Sequence, residues 1–563
     1  MGKPLRGRRC TPVTPRFRPS MYILGISGNF FRASADPAAV LVQDNRLVAA
    51  AEEERFTRVK HAPSQMPEEA IRFCLRKAGI SIQDVDVLAF PQTTWRDIEA
   101  NLRDFFVFQF GGVPKSFEYV DHHAAHAASA YRFSGYNQAI ILTADWSGDG
   151  MATTISAGTH GNIHTLKRLG APDHSLGVFY GVMTQYLGFK KWEDEYKVMG
   201  LASYGQPTMD FSWLAPDAGS DDMFSLDRQY LHPAMLKPYP AMHGLQQPGF
   251  SQALVDKVGP SRIPRAPITE YHKTVAASVQ KRLEEVAEKL IRWAHAETGF
   301  RNVCIAGGVG LNCSMNGALL GLDCVDNLYV PPVASDSGIA LGAAAEVAWR
   351  HGHSVERMDH AFYGPAYGAD EIRMVLDRAK LRYEERPDVV DFIARELSKG
   401  KIVGWFQGAM EFGPRALGNR SILGDPRQAD MKDRINYYVK FREDFRPLAP
   451  SMLDCFAKDF LERPHPCPFM TITFDVSPGK RSTIPAVTHV DGTARVQTVS
   501  QSANGRYYDL ISRFGELTGV PVVLNTSMNV MGDPMTMKPV DALRTFFATG
   551  LDHLAIGDFV VSK

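Results

Sequence analysis

Histidines and aspartates in the first 340 residues have the types and spacing of a metal site. His122, His123 and His126 lie close together, and His122 and His126 are four positions apart, so a helix brings both to one face. Asp145 ends an apolar run and is either a third ligand or an ordinary turn residue, and Asp336 precedes a stretch of small residues. Two imidazoles and two carboxylates suit iron, manganese or zinc. The sequence therefore predicts a divalent-metal site.

A second candidate site is the stretch from Trp405 to Arg427, in which glycines alternate with arginines. Arg415, Arg420 and Arg427 carry guanidinium forks, which bind phosphates and carboxylates bidentately. The glycines permit tight turns and a close ligand approach. The stretch predicts an anion-binding loop for a phosphorylated ligand, with a surface turn bearing solvated arginines as the alternative.

Further polar or cationic residues follow apolar, strand-like runs nearer the C-terminus. Lys440, Arg446, Arg495 and Asn525 are of this kind. Scattered cations are usually solvated, so the spacing alone only suggests a shared pocket.

A glycine-rich turn in the first half of the chain is typical of a nucleotide cradle. Gly307 and Gly308 follow the predicted strand Asn302–Ala306, and a helix is expected to start near Asn312. Lys197 either contacts a phosphate or marks the end of a helix.

The elements that must position these residues point to an α/β fold. Tyr22 to Ile26 predicts a strand, and Asp44-Asn45 predicts the turn of a following hairpin. Pro67 to Gly79 and Thr269 to His295 have the end signals and periodicity of helices. A strand, a glycine turn and a hairpin are how actin-like ATPase domains begin, although other α/β proteins begin so too.

Composition limits the class of protein. A chain of 563 residues is too long for one core. Lysine plus arginine and aspartate plus glutamate both number 62, which argues against nucleic-acid and membrane-surface binding. Seven cysteines without a Cys-x-x-Cys pair fit a reduced cytoplasm. Residues 1–20 are rich in arginine and proline and predict a disordered extension, followed by domains at 21–355 and 360–563.

The run Glu-Phe-Gly-Pro-Arg-Ala-Leu-Gly-Asn-Arg-Ser-Ile, which begins at Glu411, resembles the signature of the O-carbamoyltransferases of antibiotic biosynthesis and nodulation factors. The resemblance extends from about Met21 to the C-terminus. It implies a duplicated actin-like (ASKHA-type) ATPase domain followed by a YrdC-like α/β domain. It also implies transfer of a carbamoyl group from carbamoyl phosphate, through carbamoyl-adenylate, to a hydroxyl group, with ATP, magnesium for ATP and a divalent metal, iron(II) before manganese or zinc.

The resemblance assigns roles to the candidate residues. The metal ligands would be His122, His126, Asp145 and Asp336, with the glycine turn and Asp336 facing Asp145 across the cleft. The second domain would bind carbamoyl phosphate and ATP through five residues: Arg415, Lys440, Arg446, Arg495 and Asn525. Lys440 and Arg446 would also be catalytic.

One departure from the family pattern lies after the first strand, where a histidine is expected and the chain has Arg32 to Asp36. His123 is the candidate to replace it as the catalytic base or acceptor contact. Arg32 would face the acceptor and repel a polycation, which favours a neutral sugar hydroxyl on a natural product.

Two other functions remain open at this stage, a threonylcarbamoyl-type transferase acting on tRNA and a non-enzymatic nucleotide-binding scaffold. Zero net charge disfavours the first, and the four-ligand metal set disfavours the second. The expected partners are small molecules, without nucleic acid or membrane, and a homodimer is compatible with the sequence.

Overall fold

The computed structural model describes residues 20–30, 36–219, 223–232 and 248–563. The predicted N-terminal extension, except for its last residue, and Arg32 lie outside the described residues. Within the described part of the chain, no helix is both long and apolar enough to cross a membrane.

The first domain contains two five-stranded sheets with the same topology. The first sheet has the order β3-β2-β1-β4-β5 and the second has the order β8-β7-β6-β9-β10. In the first sheet β1, β2 and β3 pair antiparallel, and β4 and β5 add to β1 as parallel strands. In the second sheet β6, β7 and β8 pair antiparallel, and β9 and β10 add to β6 as parallel strands. The strands are β1 Tyr22–Ser27, β2 Ala38–Gln43, β3 Arg46–Glu52, β4 Val87–Phe90, β5 Ser116–Tyr119, β6 Gln138–Gly148, β7 Met151–Thr159, β8 Asn162–Gly170, β9 Asn302–Ala306 and β10 Asn327–Tyr329. This repeat is the duplicated actin-like fold that the sequence predicts.

Helices follow the strands at equivalent points of the two repeats. The helices of the domain are α1 Glu54–Thr57, α2 Glu68–Ala78, α3 Ile98–Phe110, α4 His122–Ser134, α5 Leu176–Tyr186, α6 Glu195–Ala202, α7 Gln252–Val258, α8 Glu270–Thr298, α9 Cys313–Leu320 and α10 Ser337–Arg350. Helix α4 comes after β5 and α10 comes after β10, so they are counterparts. Both lie between the sheets, with α4 against β6 and β9 and α10 against β1 and β4.

Small residues let these two helices pack closely. Helix α10 is rich in alanine and glycine, and a Cβ added at Gly342 would lie 1.7 Å from the carbonyl oxygen of Ala125 in α4. The backbones therefore touch with no side chain between them. This packing fixes the position of the N-terminal turns of both helices, which is where the predicted metal ligands lie.

The second domain is built on an eight-stranded mixed sheet of order β11-β20-β19-β12-β13-β18-β14-β17, with a separate β15-β16 pair. Its strands are β11 Glu384–Glu385, β12 Val403–Phe406, β13 Arg420–Gly424, β14 Ala449–Leu453, β15 Thr473–Asp475, β16 Thr493–Arg495, β17 Gln497–Val499, β18 Val522–Ser527, β19 His553–Ile556 and β20 Phe559–Ser562. Its helices are α11 Ala369–Arg378, α12 Val389–Ser398, α13 Met431–Ile435, α14 Ala457–Phe460, α15 Gly505–Thr518 and α16 Pro539–Ala548. A π-helical turn, Asn436–Lys440, continues α13.

The structure confirms the first strand, the hairpin and the predicted helices, and corrects one placement. Asp145 lies within β6, and the turn at Gly307 follows β9, its neighbour in the same sheet. The prediction that Gly307 faces Asp145 across the cleft is therefore wrong. It failed because the duplication places Asp145 on the first strand of the second repeat.

Candidate functional site

The predicted metal ligands occupy the N-terminal turns of α4 and α10 and the end of β6. Helix α4 begins at His122 because the Asp121 side chain accepts a hydrogen bond from the Ala124 N–H. Asp149, in the turn after β6, accepts the His122 N–H. Gly148 is required beside them, since a Cβ there would lie 2.0 Å from the His122 ring. The turn thus holds the first histidine in place.

One ligand atom from each of the four residues lies within 4.8 Å of the others. His126 Nε2 lies 3.1 Å from His122 Nε2 and 3.0 Å from Asp145 Oδ2. Asp336 Oδ1 lies 3.5 Å from His126 Nε2 and 3.8 Å from His122 Nε2. Four donors that point at one small volume, two of them imidazole nitrogens, are suited to a transition metal. The structure therefore brings together all four predicted ligands.

The charges of these four ligand residues favour a bound cation. Burial opposes charge on His126, but hydrogen bonds and charges from Asp145 and Asp336 raise its pKa to about 9. Burial and the neighbouring Asp145 raise the pKa of Asp336, whereas His122 and His126 hold the pKa of Asp145 well below its ordinary value in spite of burial. Two half-buried carboxylates this close together need positive charge between them. A divalent ion supplies it, so the donor set fits the implied metal.

His123 points away from this cluster. It is 1% exposed, and its Nδ1 lies 2.7 Å from the hydroxyl of Thr143 in β6. Burial, with repulsion from His122 and His126, lowers its pKa to about 3, so the ring is neutral. The prediction that His123 meets the acceptor disagrees with this placement, because α4 packs its third histidine onto the sheet. Its contact with Thr143 fits a role in positioning α4 against β6.

The predicted nucleotide cradle opens onto the metal site. Gly307 has φ +90°, and a Cβ on Gly308 would lie 3.0 Å from Asp145 Oδ1. Asn312 differs from the prediction: its Oδ1 accepts the Met315 N–H as the cap of α9, and its Nδ2 donates to Gln280. Its side chain is thus occupied by the protein, which leaves the two glycines as the part open to a ligand.

The second domain gathers basic side chains where it meets the first domain. We call them the cationic cluster: Arg415, Lys440, Arg442, Arg446 and Arg495. Burial and then repulsion from Arg495 lower the pKa of Arg415 to about 9. Burial followed by neighbouring arginines lowers the pKa of Lys440 and of Arg442, and burial with Arg446 lowers that of Arg495. The cluster thus concentrates positive charge that Glu443, the carboxylate beside Arg446, neutralises only in part.

Two predicted pocket residues are held by protein atoms. Lys440 Nζ donates to Ser527 and Asn529, with its shortest bond, 2.6 Å, to Asn529 Oδ1. Asn525 Nδ2 donates to Ala416 O, Ser451 Oγ and Gln497 Oε1. Their side chains therefore shape the pocket by joining its strands and loops. A direct catalytic contact from Lys440 would first have to break one of these bonds.

Much of the arginine–glycine stretch is structural. Arg420 is fully buried, lies 3.8 Å from the ring centre of Phe406 and donates to four backbone carbonyls. Arg427 pairs with Asp425. Glu411 accepts three backbone N–H groups that close the loop. Only Arg415 of the three predicted arginines therefore faces the cationic cluster within the described residues.

Sequence reasoning missed what the first domain contributes at this place. The ring of Tyr196 lies 4.3 Å under the Arg446 guanidinium, and Lys197 Nζ lies 3.0 Å from Glu443 Oε1. Arg442 was also left out of the predicted pocket, although its position two residues after Lys440 was a usable signal. Lys197 is a candidate phosphate contact from the sequence, but the sequence does not link it to Glu443 of the other domain, and Tyr196 has no such signal.

Comparison with known proteins agrees with this two-domain arrangement. The family profile described as carbamoyltransferase N-terminus matches residues 22–107 and 90–345. The profile described as carbamoyltransferase C-terminus matches residues 394–563. Together the two profiles account for most of the chain.

Individual relatives match over nearly the full length. Nodulation protein NolNO of Sinorhizobium fredii is 37% identical over 564 residues, which cover 94% of this chain and 79% of the relative. An uncharacterised protein of Synechocystis is 36% identical, with 96% and 97% covered. Among solved structures, component A of the Acidaminococcus fermentans (R)-2-hydroxyglutaryl-CoA dehydratase matches 59% of this chain and 100% of its own, at 15% identity and a TM-score of 0.36.

Proposed function

Since the chain belongs to the carbamoyltransferase family, and is a carbamoyltransferase, we propose that it is an ATP-dependent enzyme that carbamoylates a hydroxyl group through carbamoyl-adenylate. The cationic cluster would form the adenylate, and the metal-site domain would transfer the carbamoyl group. Membership of an enzyme family sets aside the non-enzymatic scaffold, and no feature of the described residues favours tRNA.

The observation that carries the proposal is the excess positive charge of the cationic cluster, in which Arg415, Lys440, Arg442, Arg446 and Arg495 lie near the carboxylate of Glu443. Burying cations beside one another is unfavourable, as the lowered pKa values of Arg415, Lys440, Arg442 and Arg495 express. Several phosphate groups relieve that repulsion, and guanidinium groups bind them bidentately. Carbamoyl phosphate together with a magnesium-bound ATP supplies such charge. The cluster would also stabilise the charge that develops on the leaving pyrophosphate.

Mass balance fixes the products of the first reaction. The phosphoryl group of carbamoyl phosphate leaves as orthophosphate, with one water consumed, and the freed carbamate oxygen bonds to the α-phosphorus of ATP. The bond between the α-phosphorus and the β-phosphate oxygen breaks, and pyrophosphate leaves. In the second reaction the acceptor hydroxyl oxygen bonds to the carbamoyl carbon, its proton is lost and AMP leaves.

The first domain has the features that the second reaction needs. His122, His126, Asp145 and Asp336 would hold a divalent ion, iron(II) before manganese or zinc, which as a Lewis acid would polarise the carbamoyl oxygen. Gly307 and Gly308 leave room beside Asp145 for the adenylate. We propose that the adenylate passes between the two sites by an internal route, which would protect it from water.

The acceptor follows from weaker indications. The name of the nodulation relative does not state an acceptor. We infer that the acceptor is a sugar hydroxyl of a natural product such as an antibiotic. Arg32 lies outside the described residues, and its positive charge favours a neutral acceptor over an aminoglycoside. Comparable turnover of a neutral glycosylated macrolide and an aminoglycoside at low salt would refute this preference.

Separating the two reactions tests the proposal. Enzyme given ¹⁴C-carbamoyl phosphate, ATP and a panel of glycosylated acceptors should yield AMP, pyrophosphate and a labelled acceptor. We expect His126→Ala to release pyrophosphate and leave the acceptor unlabelled, whereas Arg446→Ala should neither release pyrophosphate nor label the acceptor. Normal labelling by His126→Ala, or normal pyrophosphate release by Arg446→Ala, would contradict the division of labour.

A further inference from the structure

The cationic cluster of the second domain is completed by two residues of the first. Tyr196 lies in the first turn of α6, and its ring faces Arg446 at 4.3 Å from the ring centre. Lys197, the next residue, pairs with Glu443 at 3.0 Å and with Asp194 at 3.1 Å. Arg446 also pairs with Glu443, because its guanidinium lies 3.4 Å from the other Glu443 oxygen. One carboxylate is thus shared between a cation of each domain.

Sharing Glu443 has a consequence for the ligand. A carboxylate next to a phosphate site repels the ligand and competes for the guanidinium fork. Lys197 pairs with one Glu443 oxygen and Arg446 with the other, so the carboxylate charge is divided between two cations. Tyr196 holds the same guanidinium from its face, where a cation is attracted to the aromatic ring. Both contacts leave the edge of Arg446 available to an anion.

We propose that Tyr196 and Lys197 are positioning residues of the phosphate site, acting through Arg446 and Glu443 from the neighbouring domain. This inference rests on the proposed function, because the anion is taken to be carbamoyl phosphate or ATP. It goes further in that the first reaction depends on α6 of the transfer domain. The second domain alone therefore has an incomplete site.

The alternative is that these contacts only fasten the two domains together. Removing the charge of Glu443 in the Lys197→Ala background distinguishes the two explanations. If Lys197 neutralises Glu443, then Lys197→Ala leaves Glu443 to pair with Arg446 alone beside the phosphates, and removing that carboxylate should restore binding. If Lys197 is only an interface contact, then changing Glu443 as well removes a second contact and cannot restore it.

The measurement is carbamoyl phosphate-dependent pyrophosphate release by the full chain without acceptor. We expect Lys197→Ala to raise the KM for carbamoyl phosphate by about tenfold, because Glu443 then loses one of its two cationic partners and competes with the ligand for Arg446. The double variant Lys197→Ala with Glu443→Gln should return the KM to within about threefold of wild type, since coupled residues are not additive. Tyr196→Ala should raise the KM, and Tyr196→Phe should restore it because the ring is kept.

Arg58→Ala is the matched control. Arg58 also crosses the interface, because it donates to the carbonyls of Pro534 and Met535. Neither of these partners belongs to the cationic cluster. We expect an unchanged KM in this variant. An equal rise of the KM in Arg58→Ala, or no rescue by Glu443→Gln, would overturn the inference. If the wild-type enzyme releases no pyrophosphate, the proposed function itself fails, which is a different outcome.

Discussion

Gly342→Ala should damage the metal site from a position that contains no ligand. The new methyl carbon would lie 1.7 Å from the carbonyl oxygen of Ala125, whereas carbon and oxygen normally approach to about 3.3–3.6 Å. Relief requires α4 and α10 to separate by roughly 1.5 Å, since the contact is backbone and cannot rotate away. Overpacking of this kind typically costs about 1–3 kcal/mol of unfolding free energy.

The same displacement spreads the ligand set, because His122 and His126 flank Ala125 on α4 while Asp336 precedes α10. Disturbing the groups that orient metal ligands lowers affinity by about 10–100-fold, and we expect that range here. Urea unfolding measures the first effect, and calorimetric titration of the metal-free protein with Mn²⁺ or Zn²⁺ measures the second.

Gly505→Ala is the control for this substitution. Gly505 also lies in a helix, α15, and a Cβ there would meet only Gln501 at 3.9 Å within the described residues. A helical Gly→Ala change without a clash stabilises by about 0.5–1 kcal/mol. The two variants should therefore differ in sign. Wild-type stability and metal affinity in Gly342→Ala would refute the reasoning.

Three further predictions concern single side chains. Metal at 100 times its Kd should stabilise the wild type by about 2.7 kcal/mol in thermal unfolding and leave His126→Ala unshifted; an equal shift would remove His126 from the site. Arg420→Met should cost about 3–5 kcal/mol because four buried carbonyls lose their donor, against less than about 1 kcal/mol for Arg103→Met, which breaks an exposed pair with Glu99, as urea unfolding would show; similar losses would contradict this. Burial raises the pKa of Glu53 to about 7, so the folded state keeps a proton that the unfolded state loses, and stability should fall as pH rises toward 7, by at most about 1.4 kcal/mol per pH unit, with a flatter profile in Glu53→Gln.

Local sequence signals predicted those parts of the molecule that depend on neighbours in the chain. The spacing of His122 and His126 specified a shared helix face, and the hairpin after the first strand followed from its turn residues. The same signals did not specify that His123 contacts Thr143, because which face of α4 meets β6 depends on tertiary packing. They also assigned Asn312 and Asn525 to ligands, although both side chains are used by contacts with distant segments.

Contacts between domains were beyond any local pattern. Tyr196 and Arg446 are 250 residues apart in the chain, and only the assembled fold brings the ring beneath the guanidinium. Likewise, Arg420 and Arg415 look alike in the sequence, but one is enclosed by backbone carbonyls and the other faces the cationic cluster. Their difference arises from burial, which residue spacing does not specify.

Pyrophosphate–ATP exchange tests the central claim most directly. The enzyme is incubated with ATP, labelled pyrophosphate and carbamoyl phosphate in the absence of acceptor, and label in ATP is measured. Formation of carbamoyl-adenylate predicts exchange that requires carbamoyl phosphate, persists in His126→Ala and disappears in Arg446→Ala. Exchange that is independent of carbamoyl phosphate, or cleavage of ATP to ADP without exchange, would contradict the account.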